Sequence, residues 1–251
     1  MDLKPKITAT LITYNEEENL PRALQSIDWV DEIIVVDSGS TDRTVEIAKS
    51  FGAEVIHQNW LGYGKQKNIA HQAASFPWIL NLDADEEISD SLREEILEKI
   101  KNKEIHGYRI PRKTKYLGQW ILHGGWYPNY LVRLSQKKYS KWTEPEVHEE
   151  LKVNGPIATM NHPIHHFTFK NLQNQIETNL RYSHQGYQEL LKKNKHKNVF
   201  LLIFKPIGKF IETYFIKKGF LDGVAGFIIS VNAAHSIFLK YAYFFDPGQK
   251  K

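Results

Sequence analysis

Short β-rich apolar runs alternate with helical patterns over the first eighty residues of the chain. Residues 33–36 form a continuous apolar run, Ile-Ile-Val-Val, which is the pattern of a strand buried on both faces. Residues 20–27 then place apolar side chains at the spacing of one helix face. Such alternation predicts an α/β fold with a mostly parallel, doubly wound sheet. The predicted strands are 7–13, 33–37, 53–57 and 78–82, and the predicted helices are 20–27, 43–52 and 64–75.

Capping patterns indicate where two helices begin. Asn15, with Glu18 three residues later, has the pattern of a capping box, so the first helix is predicted to start directly after the first strand. Ser91 and Glu94 predict the start of another helix, which continues to about Lys101.

The remaining chain divides into a strand-rich part and a helical part. Residues 146–153 and 160–169 have the pattern of strands, and from Asn171 the chain is helical to its end. We therefore expect an α/β domain over residues 1–170 and a helical C-terminal extension over residues 171–251.

Charged residues are distributed unevenly between these two parts. The 33 Lys and Arg and the 29 Asp and Glu give a formal net charge of +4. Residues 1–191 carry 22 basic and 26 acidic side chains, whereas residues 192–251 carry 11 basic and 3 acidic ones. A terminal block of one sign binds an oppositely charged partner, here either nucleic acid or an anionic membrane surface.

Composition excludes several classes of protein. With 41% hydrophobic and 25% charged residues, the chain is expected to fold and not to remain disordered. It has no cysteine, which excludes a disulfide framework, Cys-ligated zinc, iron–sulfur clusters and a thiol nucleophile. No apolar stretch precedes Ile7, so we expect no secretory signal and a cytoplasmic location.

Polar clusters follow three of the predicted strands. They are Thr13-Tyr14-Asn15, Asp37-Ser38 and Asp83-Ala84-Asp85. Because ligands of such sheets bind outside the carboxyl ends of the strands, we expect the three clusters to converge on one rim. Each cluster alone also fits ordinary helix capping, and it is their coincidence that favours a ligand site.

Asp83 and Asp85 stand one residue apart after a buried strand. In an extended chain they would point to opposite faces, so the chain must turn for both to reach one ligand. Carboxylates that leave positions open for phosphate suit Mg²⁺ or Mn²⁺. The alternative is that the acidic residues up to Glu87 place negative charge before the N-terminus of the next helix.

Four motifs occur in order along the chain: Thr-Tyr-Asn-Glu at 13–16, Val-Asp-Ser-Gly-Ser-Thr-Asp at 36–42, Lys-Asn at 67–68 and Asp-Ala-Asp-Glu at 83–86. Together they resemble the family 2 inverting glycosyltransferases, whose catalytic domain has the nucleotide-diphospho-sugar transferase fold called GT-A. Later motifs resemble the small subgroup of lipopolysaccharide core β-1,4-glucosyltransferases, which act on inner-core heptose at the cytoplasmic membrane face. These are Gly-Gly-Trp-Tyr-Pro at 124–128, Arg-Leu at 133–134, Val-His-Glu at 147–149 and His-His-Phe-Thr at 165–168.

The resemblance implies a UDP-sugar donor and assigns residues to it. Asp37 matches the position that accepts the uracil N3 hydrogen, and Tyr14 would stack on the base. Thr13 and Asn15 fall in the same nucleotide-binding motif. Lys67 stands where many relatives carry Arg near the diphosphate, and it supplies charge without a bidentate fork.

The resemblance also implies a divalent metal, Mg²⁺ or Mn²⁺. Asp85 matches the direct metal ligand, and Asp83 matches a residue that binds the donor ribose or the metal through water. His166 is a candidate to complete the metal shell, although a satisfied interior histidine is the alternative. The metal would bridge both phosphates and stabilise the charge on the departing UDP.

Inverting transfer requires a base that takes the acceptor hydroxyl proton on the side of the sugar away from UDP. Glu144, Glu146, Glu149 and Glu150 are the candidates. Glu149 matches the His-Glu motif of the subgroup and ranks first, with Glu146 second. At least two of the four are expected to lie on a solvent-exposed strand face.

The segment 107–142 is rich in aromatic and basic residues, which suits an acceptor that carries sugars and phosphates. Trp126, Tyr127 and Arg133 are its candidate acceptor-binding residues. Single-stranded nucleic acid would also fit such a segment. Because acidic neighbours balance the charge and no RNA-binding signature occurs, we expect no nucleic-acid partner.

Residues 199–245 combine interrupted apolar runs with lysines at 205, 209, 217 and 218. The longest uncharged stretch, 223–239, has 17 residues, which is at the short limit for a helix that spans a membrane. This pattern favours helices that lie in the interface of an anionic leaflet. The alternative is a helical lid packed on the sheet domain.

Taken with the resemblance, these observations predict an inverting glycosyltransferase that moves glucose from UDP-glucose to a lipid-linked saccharide such as the lipopolysaccharide inner core. The same fold would serve transfer to another polysaccharide or to a polyprenyl phosphate. A nucleotidyltransferase would need a Gly-rich basic loop after the first strand, where residues 14–18 instead contain three Glu. A non-catalytic sugar-binding module would tolerate loss of the acidic pair and of Glu149.

Overall fold

The computed structural model describes residues 5–144, 149–169 and 171–249. The chain divides into two compact units, Met1–Arg112 with Tyr130–His166, and Lys113–Asn129 with Phe167–Lys251. The segment 113–129 therefore belongs to the same unit as the C-terminal helices. A domain boundary at residue 170 stays a prediction.

The helices and strands of the described residues follow in chain order. The strands are β1 (Ile7–Thr13), β2 (Glu32–Asp37), β3 (Glu54–His57), β4 (Trp78–Asn81), β5 (Glu86–Ile88), β6 (Gly107–Tyr116), β7 (Gln119–Trp120), β8 (Asn129–Gln136), β9 (Ser140–Trp142), β10 (Leu151–Val153), β11 (Ile157–Thr159) and β12 (Ile164–His166). The helices are α1 (Leu20–Gln25), α2 (Thr44–Ser50), α3 (Tyr63–Ala73), α4 (Asp90–Lys99), α5 (Leu172–Lys192), α6 (Val199–Ile211) and α7 (Gly223–Ala242).

The main sheet runs in the order β3-β2-β1-β4-β8-β6-β12-β5. Strands β1 to β4 pair in parallel, as the sequence predicts, and their register sets Thr13 opposite Asp37. β8 then joins β4 antiparallel, with Leu134 opposite Leu80. The fold is thus α/β, with a mostly parallel, doubly wound sheet and a helical C-terminal region.

Alternate residues of the central strands fill two different cores. Ile34 and Val36 pack with Ala70 and Ala74 of α3 on one face of the sheet. The opposite face packs against α1, α2 and α4 in a larger cluster that includes Val35. Because both faces are covered, the strands are continuously apolar, which is why the sequence pattern identifies them.

Several local predictions are wrong in detail. Asn15 does not cap α1: that helix starts at Leu20 with Asn19 as N-cap, and the side-chain oxygen of Asn15 accepts from the Thr41 backbone N–H at 2.8 Å. Ser89, not Ser91, caps α4, since its side chain accepts from the Leu92 N–H.

The strand predictions of the second half are only partly correct. Within 160–169 only Ile164–His166 is a strand, and within 146–153 only β10 is a strand among the described residues; residues 145–148 lie outside them. β5, β6 and β8 have no counterpart among the predicted strands.

The second unit has its own apolar core. Tyr116 and Ile121 pack with Ala225 and Ile229 of α7, and Trp126 lies against this cluster. Asp222, which is 8% exposed, accepts hydrogen bonds from the backbone N–H groups of Leu122 and His123. These contacts tie the segment before residue 129 to the start of α7.

One helical segment, Gly219–Phe245, is long and apolar enough by length and composition to cross a membrane. Only 28% of its most apolar window is buried inside the protein. A single segment of this kind is weak evidence for a membrane span.

Candidate active site

The ends of β1 and β2 meet at one rim of the sheet. Thr13, the last residue of β1, donates its hydroxyl to Asp37 Oδ1 at 3.0 Å, and Asp37 is the last residue of β2. Asn15 reaches the same loop through its bond from the Thr41 N–H. The structure therefore brings the first two predicted polar clusters together.

Asp37 is buried and accepts four hydrogen bonds. One carboxylate oxygen accepts from the hydroxyls of Thr13 and Ser40, and the other accepts from the backbone N–H groups of Gly39 and Ser40, each at 2.9 Å. Burial alone would raise the pKa of this carboxyl, but the hydrogen bonds from Ser40, Gly39 and Thr13 outweigh it and lower the pKa. Four donors match the acceptor capacity of a carboxylate, so Asp37 organises the loop after β2.

Tyr14 and Asn15 form the bend that follows β1 at this rim. The Tyr14 side chain is 60% exposed, so its ring is open to a ligand. Asn15 adopts a left-handed backbone conformation with φ of 54°. Asparagine tolerates this conformation better than most residues, which explains its use at the bend that follows β1.

Asp83, after β4, is held by two cations. The guanidinium of Arg133 donates to both carboxylate oxygens, and Lys67 Nζ lies 3.3 Å from Oδ1. Burial opposes ionisation of Asp83, but the charges of Arg133 and Lys67 prevail and hold its pKa far below the ordinary value. Asp83 is therefore an anion in an ion-pair network.

Arg133 reaches Asp83 because β8 pairs antiparallel with β4 beside it. Its side chain also donates to Glu86 Oε1 at 2.7 Å, and it is 3% exposed. Burial would lower the pKa of this guanidinium, whereas Asp83 and Glu86 raise it further. Its charge is directed at Asp83 and Glu86, two carboxylates of its own unit, and acceptor binding by Arg133 stays a prediction.

Glu86 is a site residue that the sequence reasoning missed. It is fully buried, and it accepts from both Arg133 and Arg112, the latter at 3.3 Å. Its other oxygen accepts from the Asp83 N–H at 3.0 Å. In the sequence Glu86 is one member of an acidic run before a helix, which does not indicate that it pairs with two arginines. Those arginines come from β6 and β8, far along the chain.

The chain turns between Asp83 and Glu86, as the Asp-x-Asp pattern requires. The Glu86 N–H donates to the Asp83 carbonyl at 3.0 Å, which closes a four-residue turn. The turn gives the two aspartates different partners. Asp85 Oδ2 lies 3.1 Å from His166 Nε2, while Asp83 faces Arg133 and Lys67.

Asp85 and His166 form the pair best suited to a divalent cation. A carboxylate oxygen and an imidazole nitrogen side by side fit Mn²⁺ or Mg²⁺ when phosphate oxygens supply further ligands. In the residues that the structure describes, no group of three or more His, Asp or Glu side chains forms a metal cage. Within the described residues, Asp85 and His166 are the candidate pair of ligands, and metal-ligand roles for Asp83, Asp85 and His166 stay predictions.

Lys67 links Glu149 to this network. Its Nζ donates to Glu149 Oε1 at 2.9 Å and lies 4.5 Å from the centre of the Trp142 ring. The Lys67 side chain is 11% exposed and that of Glu149 is 18% exposed. The ammonium of Lys67 therefore pairs with both carboxylates, those of Glu149 and Asp83.

The segment from Trp142 to Glu144 is hydrogen-bonded to α3 and packs closely against it. Asn68 accepts from the Trp142 N–H and donates to the Trp142 carbonyl, both at 3.0 Å, and also donates to Glu144 Oε1 at 2.7 Å. At Gly64 an added Cβ would lie 2.1 Å from the Thr143 carbonyl oxygen, so only glycine permits this approach.

The other predicted base candidates have distinct surroundings. Glu144 is bound by Asn68, and Glu150 is exposed and paired with Lys152. Glu146 lies outside the described residues, as does most of the Val-His-Glu motif.

Trp126 and Tyr127, two of the three predicted acceptor residues, belong to the second unit. The Trp126 ring lies 5.6 Å from Tyr116 and 6.1 Å from Phe169, so it packs within the core of that unit. Acceptor binding by either residue stays a prediction.

A mostly parallel, doubly wound sheet with a polar, acidic rim at the carboxyl ends of its strands and a helical C-terminal region is the architecture of the GT-A fold. The chain belongs to glycosyl transferase family 2, whose model matches residues 8–155. This confirms the family named from the sequence motifs and makes the protein a glycosyltransferase. The β-1,4-glucosyltransferase subgroup stays a prediction.

The chain is similar to other proteins along most of its length. An uncharacterized glycosyltransferase of Rickettsia typhi is 33% identical over 250 residues, covering 94% of this chain and 86% of that protein. LpsC of Rhizobium meliloti, a lipopolysaccharide core biosynthesis glycosyltransferase, is 29% identical over 247 residues, covering 95% and 92%. The crystal structure of S. aureus TarS 1–349 is 15% identical with a TM-score of 0.49, covering 95% and 90%.

Proposed function

We propose that this glycosyltransferase moves a sugar, with glucose as the first candidate, from a UDP-sugar to a lipid-linked saccharide such as the lipopolysaccharide inner core, with inversion. The observation that carries the proposal is the convergence of Asp83 and Glu149 on the ammonium of Lys67. It sets a candidate base beside the acidic rim where a donor diphosphate would bind.

The donor would occupy the rim formed after β1, β2 and β4. The exposed ring of Tyr14 is open for stacking on the base. Thr13 and Asn15, on either side of it, form hydrogen bonds to Asp37 and to the Thr41 N–H. Asp37 would act on the nucleotide in one of two ways: by exchanging one of its four internal donors for the uracil N3 hydrogen, or by shaping the loop that does so.

A divalent cation, Mg²⁺ or Mn²⁺, would be held by Asp85 and His166. When bound, such an ion supplies positive charge to the diphosphate, which favours departure of UDP. Lys67 adds a fixed positive charge beside Asp83. Arg133 keeps Asp83 ionised, and Glu86 holds Arg133 and the Asp83 backbone N–H in place, so we assign both a positioning role.

Glu149 would take the proton of the acceptor hydroxyl as that oxygen attacks the anomeric carbon. Lys67 orients its carboxylate through the 2.9 Å hydrogen bond. Glu146 is the second candidate.

The similarity to LpsC supports a saccharide of the lipopolysaccharide core as acceptor. Trp126 and Tyr127 are retained as candidate acceptor contacts. A lipid-linked acceptor places the enzyme at the cytoplasmic face of the inner membrane, and the basic, apolar C-terminal region would make the contact.

Substitution of Glu149 tests the proposed function. Purified protein with Mn²⁺, UDP-glucose and extracted core saccharide should release UDP, measured with a radiolabelled donor. Glu149→Gln should reduce kcat by roughly a hundredfold to ten-thousandfold, the usual contribution of a general base, while UDP binding measured by calorimetry stays intact.

Glu150→Gln is the matched control, because Glu150 is the next residue, exposed and paired with Lys152. It should leave kcat unchanged. Full activity of Glu149→Gln together with loss of activity in Glu146→Gln would reassign the base. Turnover with a polyprenyl phosphate and none with core saccharide would replace the proposed acceptor.

A further inference from the structure

Helix α6 exposes an apolar surface along its whole length. Phe200, Phe204 and Ile207 are 74%, 61% and 51% exposed, and no α6 residue is buried. Soluble monomers rarely leave contiguous apolar patches larger than a few hundred Å² in water. Further exposed apolar side chains of this unit are Ile203, Ile211, Phe215, Ile216, Phe220, Leu221, Val224, Phe227, Val231 and Phe238.

A groove of about 560 Å³ lies between α6 and α7. Its apolar walls come from Leu201, Phe204 and Ile237, and Tyr241 lies at its side. The charged groups along it are Lys205, Lys209, Lys240 and Glu212. Apolar walls beside several ammonium groups suit a ligand that has both an acyl chain and an anionic head group.

Two of these ammonium groups have no carboxylate partner. Glu212 pairs with Lys209 at 3.1 Å and with Lys217 at 2.5 Å. Among the residues that the structure describes, no carboxylate lies within ion-pairing distance of Lys205 or Lys240. Within the described residues, the groove therefore carries two lysines, Lys205 and Lys240, without a carboxylate partner, and the Lys240 side chain runs alongside Gly186 of α5.

The neighbouring helix α7 has one packed side and one exposed apolar side. One side of it is buried through Ala225, Gly226, Ile229 and Ser230. On the exposed side, Val224, Phe227, Val231 and Phe238 recur at helical spacing. An exposed apolar side of this kind fits a helix that lies along a membrane surface, and the carbonate extraction described below distinguishes it from a span.

We propose that the groove between α6 and α7 binds the phosphate head group of an anionic membrane phospholipid. Lys205 and Lys240 meet the phosphate, and Phe200, Ile203 and Ile207 of α6 insert among the acyl chains. By helical spacing Lys205 lies on the opposite side of α6 from these three residues, which keeps its ammonium at head-group level. This inference deepens the proposed membrane-side function, but its test requires no turnover.

Vesicle co-sedimentation of the full chain tests the proposal. The arms are vesicles of phosphatidylcholine alone, vesicles of phosphatidylcholine with phosphatidylglycerol, and the latter with free glycerol 3-phosphate at constant ionic strength. The wild-type chain should prefer the phosphatidylglycerol vesicles and resist competition by glycerol 3-phosphate. Lys205→Ala with Lys240→Ala should weaken that binding roughly 25-fold, because each lysine near the surface contributes about fivefold.

Two matched variants separate a specific site from bulk charge. Lys49→Ala with Lys103→Ala removes the same charge from exposed positions of the first unit and should bind as the wild type does. Lys205→Arg with Lys240→Arg should retain binding. Equal weakening by both alanine pairs would overturn the groove site, as would release of the protein by glycerol 3-phosphate. Resistance to alkaline carbonate extraction would show a spanning helix and would also overturn the proposal.

Discussion

Glu86 occupies the most enclosed position in the ion-pair network of the rim. It receives Arg133 and Arg112 from two different strands, and it has no exposed surface. The Nε atoms of Arg112 and Arg133 are buried and have no hydrogen-bond partner in the described structure. These guanidinium groups depend on Glu86 and Asp83 for their charge compensation.

Replacing Glu86 by Gln should destabilise the protein by about 3–5 kcal/mol, because it leaves buried guanidinium charge without its partner. The free energy of unfolding in urea measures the effect. Glu98→Gln is the control, since Glu98 forms an exposed pair with Lys101 on α4. That change should leave the free energy of unfolding nearly unchanged, because exposed ion pairs contribute little, and an equal loss in both variants would contradict the network's role.

Several residue roles follow from contacts that no local pattern indicates. Asn15 was expected to cap a helix, but its side chain bonds across to the loop after β2. Glu86 looked like one member of an acidic run, but its partners lie 26 and 47 positions away. Motif order does select Asp83, Lys67 and Glu149, which the structure brings together, while their roles in the reaction stay predictions.

At the scale of the element, α4 shows how one hydroxyl sets where a helix begins. The Ser89 side chain accepts from the Leu92 N–H at 3.3 Å, with Ser89 in an extended conformation before the first turn. Ser91, two residues later, already lies inside the helix.

Ser89→Ala should reduce the free energy of unfolding by about 1 kcal/mol, because an N–H of the first turn loses its acceptor. Ser91→Ala should be neutral or slightly stabilising, since alanine has the higher helix propensity. Urea unfolding of both variants gives the comparison. A larger loss for Ser91→Ala would place the cap where the sequence alone predicted it.

The elements of the chain differ in how readily sequence identifies them. β1 to β4 are buried on both faces and read as apolar runs, so their order and class were predicted. β6 carries Arg109, Lys113 and Lys115 between buried residues, and β8 carries Arg133 at its buried end. In β8 the buried charge of Arg133 obscures the period-two pattern, because its partners Asp83 and Glu86 lie far along the chain.

At the scale of the whole molecule, several carboxylates have lowered pKa values. Glu32, Asp37, Asp42, Asp83 and Glu95 are all shifted downward: burial raises each pKa, and hydrogen bonds or nearby cations more than offset it. The unfolded chain therefore binds more protons than the folded chain in acid. Their stabilisation is present above the unfolded pKa, near 4, and is lost as the pH falls through the folded values.

The free energy of unfolding should consequently fall steeply below about pH 4.5, as followed by urea unfolding from pH 7 to pH 3. Burial also lowers the pKa of His71, so a smaller loss begins as the pH falls below its unfolded value of 6.5. Asp37→Asn should flatten the steep part of the profile. An unchanged slope would mean that the four hydrogen bonds to Asp37 do not lower its pKa in the folded protein.

Under the proposed lipid contact, the exposed apolar face of α6 couples the folding equilibrium of the protein to the lipid that covers it. A helix with no fully buried side chain is stabilised in part by the phase that covers its exposed face. A ligand at a hundred times its dissociation constant adds about 2.7 kcal/mol to the folded state. The melting temperature should then depend on vesicle concentration by mass action, so that stability becomes a property of the protein together with its membrane.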